Sequence, residues 1–142
     1  MQSCASPRAN CTFNNLSAAK NATITFSLVN GPDLTGQFQS ITLRRLVFSY
    51  HLAGFLRVSN IGNRNAASFK VSYYLSNDGT TLGTLLGSST IRSLTSGAST
   101  NLAYGFFMNQ SPKGKYLIAV TDSGNSIPER NETNNRVAAK VP

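Results

Sequence analysis

Gly114-Lys115-Tyr116-Leu117-Ile118-Ala119-Val120-Thr121-Asp122 leads into Ser123-Gly124-Asn125-Ser126-Ile127-Pro128-Glu129, then Arg130-Asn131-Glu132-Thr133-Asn134-Asn135, and then Val137, Ala139 and Val141 at alternate positions. Tyr116, Ile118 and Val120 alternate with Leu117, Ala119 and Thr121, so a strand here is apolar on both faces, as a central strand must be. The segment after Asp122 is polar and punctuated by Gly and Pro, which marks a loop. The run therefore reads as a central strand, a long polar loop and a final strand.

Upstream the same period recurs. Phe69, Val71, Tyr73 and Leu75 lie on one face of a strand and Lys70, Ser72 and Tyr74 on the other, before an Asn77-Asp78-Gly79 turn. Short strands are predicted at Leu82 to Leu86 and at Ser89 to Leu94. A longer one follows from Thr100 to Met108, and Ser111-Pro112-Lys113-Gly114 closes it. In Leu43 to Leu56 the apolar residues Leu46, Phe48, Tyr50 and Leu52 alternate, which predicts one long strand, with Gly54 marking a bulge or bend. Asn60-Ile61-Gly62-Asn63 is a turn. Short strands separated by regular turns, with no βαβ rhythm, predict an all-β fold, an antiparallel β-sandwich or barrel. Residues 1–31 differ: one strand-like piece, Ala22 to Val29, reads as an extra N-terminal edge strand or extension preceding a domain at 32–142.

The length of 142 residues suits one ordinary domain. With 40% hydrophobic and 13% charged residues the chain is too apolar for wholesale disorder. No apolar run approaches the roughly 20 residues of a span, so no membrane insertion is expected. The net charge of +8 comes from scattered Lys and Arg with one adjacent pair, Arg44-Arg45, and predicts no nucleic-acid site. Cys4 and Cys11 could close a small disulfide loop in an oxidising compartment, and the single His51 cannot complete a zinc site with them.

The quoted run resembles the CARDB family, the cell-adhesion-related domain found in bacteria. Its members carry a strand of the type Gly-x-Tyr-x-hydrophobic-x-hydrophobic-x-Asp, a turn, a Glu, an Asn-Glu-x-Asn-Asn box and a last strand. Val58 to Asn63, Val71 to Gly79 and Ile91 to Ser99 match further family segments, so the resemblance covers about residues 33–142. It implies an immunoglobulin-like sandwich of about seven strands without catalytic activity. The implied setting is the cell surface or the extracellular medium of bacteria or archaea. The expected function is an adhesion, spacer or protein-interaction module, with a carbohydrate-binding accessory module of a secreted enzyme as the alternative. The expected partners are a cell-surface protein or glycan and neighbouring domains of a longer chain.

Two readings of the polar loop stand side by side. In the first, Asp122, Asn131, Asn134 and Asn135 form a latch whose side chains satisfy backbone groups of the loop. In the second, Asp122, Asn125, Glu129, Glu132 and Asn134 supply hard oxygen ligands to calcium, although their spacing is not that of an EF-hand. Glu129 and Glu132 could be a glycosidase pair by spacing alone, but such chemistry needs a cleft. His51 has no acidic residue near it in sequence, and no Gly-x-Ser-x-Gly occurs. Tyr74 and Phe107 are each paired in sequence with a second aromatic of opposite parity, so they are the candidates for outward-facing ligand contacts.

Overall fold

A computed structural model describes residues 10–14, 21–25 and 29–142. Strands β1 (Asn10–Asn14) and β2 (Asn21–Thr25) pair with each other in an antiparallel two-stranded sheet. Seven further strands form two antiparallel sheets: β3 (Leu34–Arg45), β4 (Tyr50–Asn60) and β7 (Ser99–Met108) in the order β3-β4-β7, and β5 (Phe69–Ser76), β6 (Thr84–Ile91), β8 (Tyr116–Val120) and β9 (Arg136–Lys140) in the order β6-β5-β8-β9. The all-β sandwich expected from the sequence is the one observed. Cys4 lies outside the described residues, and so does any bridge to Cys11.

The core lies between the two sheets, where period 2 puts it. Leu52, Leu56 and Val58 of β4 meet Phe69, Val71 and Tyr73 of β5 and Leu117 and Ala119 of β8, all essentially without solvent contact. Ile118 is fully buried on the opposite face of β8, flanked in register by Tyr74 of β5 and Ala138 of β9, so β8 is central as its sequence predicts. An aromatic cluster joins the layers: the Tyr104 ring lies 5.3 Å from Tyr73 and 5.9 Å from Phe38 between centroids. Burial pushes the Tyr73 hydroxyl up to about 12.

Two strand readings are corrected. Leu43 to Leu56 is not one strand but a hairpin, turned at Leu46–Ser49, where the Leu46 N–H donates to the Ser49 carbonyl at 2.8 Å. The turn holds no Gly, Pro, Asn or Asp, and Leu46 and Phe48 share the parity of Tyr50 and Leu52, so the alternation runs unbroken through the reversal. The first strand of this hairpin is concealed by a bulge between Phe38 and Ser40. Leu34 and Phe38 face inward before the bulge, and Ile41 and Leu43, of opposite parity, face inward after it. The bulge thus sits on β3, opposite Leu56 and Phe55, and not at Gly54, which pairs with Ile41 just beyond it. The second correction is β6, a single strand where two were expected; a register shift between Tyr73 and Tyr74 of β5 breaks its alternation.

Candidate functional site

The loop between β8 and β9 folds back onto the start of β3. Asp122 lies in the turn just after β8, in the left-handed region with φ of 44°, and its side chain is buried. One oxygen accepts from the Ser126 N–H at 3.0 Å and the Ser126 hydroxyl at 2.8 Å, and the other accepts from the Ile127 N–H at 2.7 Å. Asp122 therefore closes its own turn and seats Ile127 in the core. Asn125, also at positive φ, is exposed, and its N–H donates to the Asp122 carbonyl at 2.8 Å.

Glu129 reaches across the molecule. Its carboxylate accepts from the Leu34 N–H at the first residue of β3 and from the Asn135 side-chain amide. Glu132 accepts from the Glu129 N–H at 2.8 Å. Asn131 accepts from the N–H and hydroxyl of Thr133, a local Asx turn. Asn134 donates to the Asp33 carboxylate at 2.6 Å, and Asn135 also donates to the Thr121 carbonyl at 3.3 Å. The loop is thus tied to the start of β3 and the residue before it by three side-chain links: Asn134 to Asp33, Glu129 to the Leu34 N–H, and the Thr121 hydroxyl to the Leu34 carbonyl. Of the residues named from sequence, the structure brings Glu129, Glu132, Asn134 and Asn135 to one side of the loop. Asp122 and Asn125 belong to the turn before it.

Asp33 is a member of this cluster that the sequence did not reveal. It is buried, its N–H donates to Asn60 Oδ1 at 3.1 Å, and its carbonyl accepts from Ile61. The only local signal is the preceding Asn30-Gly31-Pro32 turn, because its side-chain partner lies 101 residues away. Two buried acceptors in the cluster, Asn134 Oδ1 and Asn135 Oδ1, have no hydrogen-bond partner among the described residues. Among the described residues no three His, Cys, Asp or Glu side chains are grouped as metal ligands.

Burial holds the Glu129 carboxyl above its ordinary value of 4.5; the Leu34 and Asn135 hydrogen bonds oppose that rise, and the charges of Glu132 and Asp122 add to it. The sign follows by linkage. The folded state holds this proton more tightly than the unfolded chain does. The resulting stability is complete below the ordinary glutamate value and is lost as pH rises through the elevated folded one. The melting temperature is therefore expected to fall as pH is raised from 4.5 toward neutrality, and Glu129→Gln to flatten that slope. A slope unchanged in the variant would show that Glu129 is not its source. Asp78 acts in the other direction and in a lower window: hydrogen bonds from Thr81 and Thr80 hold its carboxyl well below the usual range.

The two aromatic candidates fall on different sheets. Phe107 of β7 is 71% exposed and stacks on His51 of β4, with ring centroids 4.4 Å apart at 15°. Tyr74 is half-buried beside Ile118. Neither lines either of two open depressions among the described residues: one of about 530 Å³ is walled by Leu43, Arg45, Tyr50, Ser111, Lys113 and Pro142, and one of about 380 Å³ by Gly79, Thr80, Thr133, Arg136 and Ala138.

With this geometry in place, the CARDB family model matches residues 31–139, which spans both sheets and the latched loop. The chain belongs to the CARDB family. Among solved structures, the CARDB domain of a Pyrococcus furiosus protein, determined in complex with di-metal ions, is 25% identical, with a TM-score of 0.60 over 81% of this chain and 96% of that one. A domain of what is described as a cell surface protein of Methanosarcina acetivorans is 28% identical, with a TM-score of 0.57 over 78% of this chain and 90% of that one. No curated protein sequence matches this one. The CARDB assignment accounts for the sandwich; β1 and β2 precede the matched residues.

Proposed function

We propose that this chain is a non-catalytic extracellular module of a surface or secreted bacterial or archaeal protein, one that spaces neighbouring domains and takes a protein partner by strand addition. The observation that carries this reading is the flank formed by β6 and β7. Among the described residues each pairs on one side only, β6 with β5 and β7 with β4, and neither contains a charged residue or a proline. Edges left without such blunting are templates for an incoming strand. The opposite flank, β3 and β9, carries Arg44, Arg45, Arg136 and Lys140. Catalysis is disfavoured because the carboxylates of Asp122, Glu129 and Glu132 accept from backbone N–H groups, and neither depression among the described residues is lined by them. A photoreactive side chain at exposed Thr90 of β6, in the full-length protein on its native cell, is expected to give one dominant protein adduct. Adducts from Gln37 on β3 with none from Thr90 would overturn the edge assignment. The glycan-binding alternative rests on exposed Phe107 and requires glycan-array signals that Phe107→Ala abolishes.

A second reading concerns a cation. Calcium prefers six to eight oxygens, neutral ones included. The partnerless oxygens of Asn134 and Asn135, beside the carboxylates of Asp33 and Glu129, fit such a donor set in chemistry, and a 25% identical CARDB domain was determined with metal ions. We place this candidate at Asp33, Glu129, Asn134 and Asn135, with Glu132 at its rim and Asp122 and Asn125 outside it. Millimolar calcium is expected to raise the melting temperature by several degrees at neutral pH. The rise should be smaller at acidic pH, where the Glu129 proton competes, and absent in Asp33→Asn. No rise at any calcium concentration would remove the cation from this reading and leave the latch held by hydrogen bonds alone.

A further inference from the structure

The β3–β4 hairpin ends in an apolar tip. Val47 is 85% exposed and Phe48 91%, the highest values among the large hydrophobic side chains of the described residues, and Leu46 beside them is 38% exposed. The strands beneath are the longest of the fold, at 12 and 11 residues, and a hydrogen bond from Leu46 to Ser49 closes the turn. Nothing in the fold requires these side chains here. They contribute little to the core, and a polar turn would close the hairpin as well. Adjacent apolar groups held out in water on a rigid stalk mark an interaction site.

The charges at this end indicate the partner. Arg44 and Arg45 flank the tip and are exposed, and Lys113 shares a depression with Arg45. Lys115 and Lys140 stand in the strand ends nearby, and Val141 pairs with Lys115 through its N–H. Four of the five acidic residues, Asp33, Asp122, Glu129 and Glu132, are gathered at the other end of β3, roughly 40 Å away at about 3.3 Å per residue. The fifth, Asp78, lies in the β5–β6 turn with its carboxylate occupied by Ser76, Thr80 and Thr81. Arg64, Lys70, Arg130 and Arg136 stand among the other four carboxylates and leave that end near neutral. Asp78 is the one acidic residue at the Lys140 end of its sheet, so the apolar tip stands at the more cationic end of the molecule.

An apolar turn ringed by Arg and Lys matches the interface of an anionic bilayer: the apolar groups enter the headgroup–acyl boundary, and the long cationic side chains stay at the phosphates. A soluble polyanion would use the charges and leave Val47 and Phe48 in water. We propose that the tip Leu46-Val47-Phe48 inserts shallowly into an anionic lipid surface, with Arg44, Arg45 and Lys113 on the headgroup phosphates. No spanning segment is involved; no helix among the described residues is long and apolar enough to cross a membrane.

The chain contains no tryptophan, so Phe48→Trp in the full chain creates a single reporter. Vesicles of phosphatidylcholine with about a third phosphatidylglycerol are expected to shift its emission to the blue, and pure phosphatidylcholine vesicles to leave it unchanged. Val47→Ser with Phe48→Ser, and separately Arg44→Gln with Arg45→Gln, should each weaken sedimentation with the mixed vesicles about tenfold or more. Both substituted pairs are exposed, so melting temperature should hold. An unshifted emission with mixed vesicles overturns the proposal. So does binding that ignores Val47 and Phe48 and is matched by soluble dextran sulfate, which would leave a site for polyanions only. An emission already blue without vesicles, whether or not it depends on protein concentration, overturns it too, because the tip would then be covered by a second copy or by the chain's own N-terminal segment.

Discussion

Asn60→Ala is expected to lower the free energy of unfolding by about 3–5 kcal/mol, a large share of the stability of a domain this size. Asn60 is fully buried at the end of β4 and uses its whole side chain. Its oxygen accepts from the N–H groups of Asp33 and Gly62, both at 3.1 Å, and its nitrogen donates to the carbonyls of Arg64 at 2.8 Å and Leu94 at 3.0 Å. One residue thereby joins the start of β3, the β4–β5 loop and the segment before β7. Truncation leaves the Asp33 and Gly62 N–H groups and the Arg64 carbonyl without partners, each costing roughly 1–3 kcal/mol unless water enters, while the Leu94 carbonyl keeps the Ala66 N–H. Asn60→Asp restores the acceptor, loses both donor bonds and buries a charge, so it should do no better than alanine at neutral pH. Urea unfolding curves for both variants check this. A loss below about 1 kcal/mol for Asn60→Ala would mean that water replaces the amide at little cost. Because Asn60 holds the Asp33 backbone, the variant should also loosen the Asn134 link to the β8–β9 loop and, with it, any calcium response.

How much of this was legible in advance depends on the distance over which each residue acts. Strands β5, β7 and β8 follow from alternation alone, since each has one parity facing the core along most of its length. The β3–β4 hairpin does not, because the bulge inverts parity inside β3 while the apolar turn preserves it from Leu46 to Leu52. Asp122 and its turn lie within reach of local reading: its acceptors meet donors four and five residues on. Asn60 reads from sequence only as part of a turn, yet two of its four partners lie 27 and 34 residues away. Asp33 and the link from Glu129 to Leu34 are of the same kind, fixed by how the sheets close and not by any spacing. The family resemblance supplied the fold that places them, but not their pairing.

Gly54→Ala should also destabilise strongly, and here the sign distinguishes two physical accounts. On propensity alone the change is favourable, because glycine in the middle of a strand costs conformational entropy, roughly 0.5–1 kcal/mol relative to alanine. The packing of Gly54 reverses this. A Cβ there would lie 2.0 Å from the Ser40 carbonyl oxygen and 2.6 Å from the Tyr104 hydroxyl. Those two groups are bonded to each other at 2.7 Å, across the space that the missing side chain leaves open. Gly54 is thus the cleft through which Tyr104 of β7 holds the bulge of β3, two strands away. Alanine must displace a backbone carbonyl on a strand paired on that side, at a cost of about 3 kcal/mol or more. Tyr104→Phe removes only the hydrogen bond and should cost about 1 kcal/mol. If Gly54→Ala acts by breaking that bond, the double variant should fall short of the sum of the singles, since neighbours sharing one interaction are not additive. Additive losses would assign the effect to displacement of β3 alone, and a gain in stability from Gly54→Ala would refute the close approach itself. The bulge has consequences at a distance. By reversing parity it turns Ile41 and Leu43 to the core and Arg44 to solvent, so the glycine that permits it also sets which side chains of the hairpin tip are presented outward.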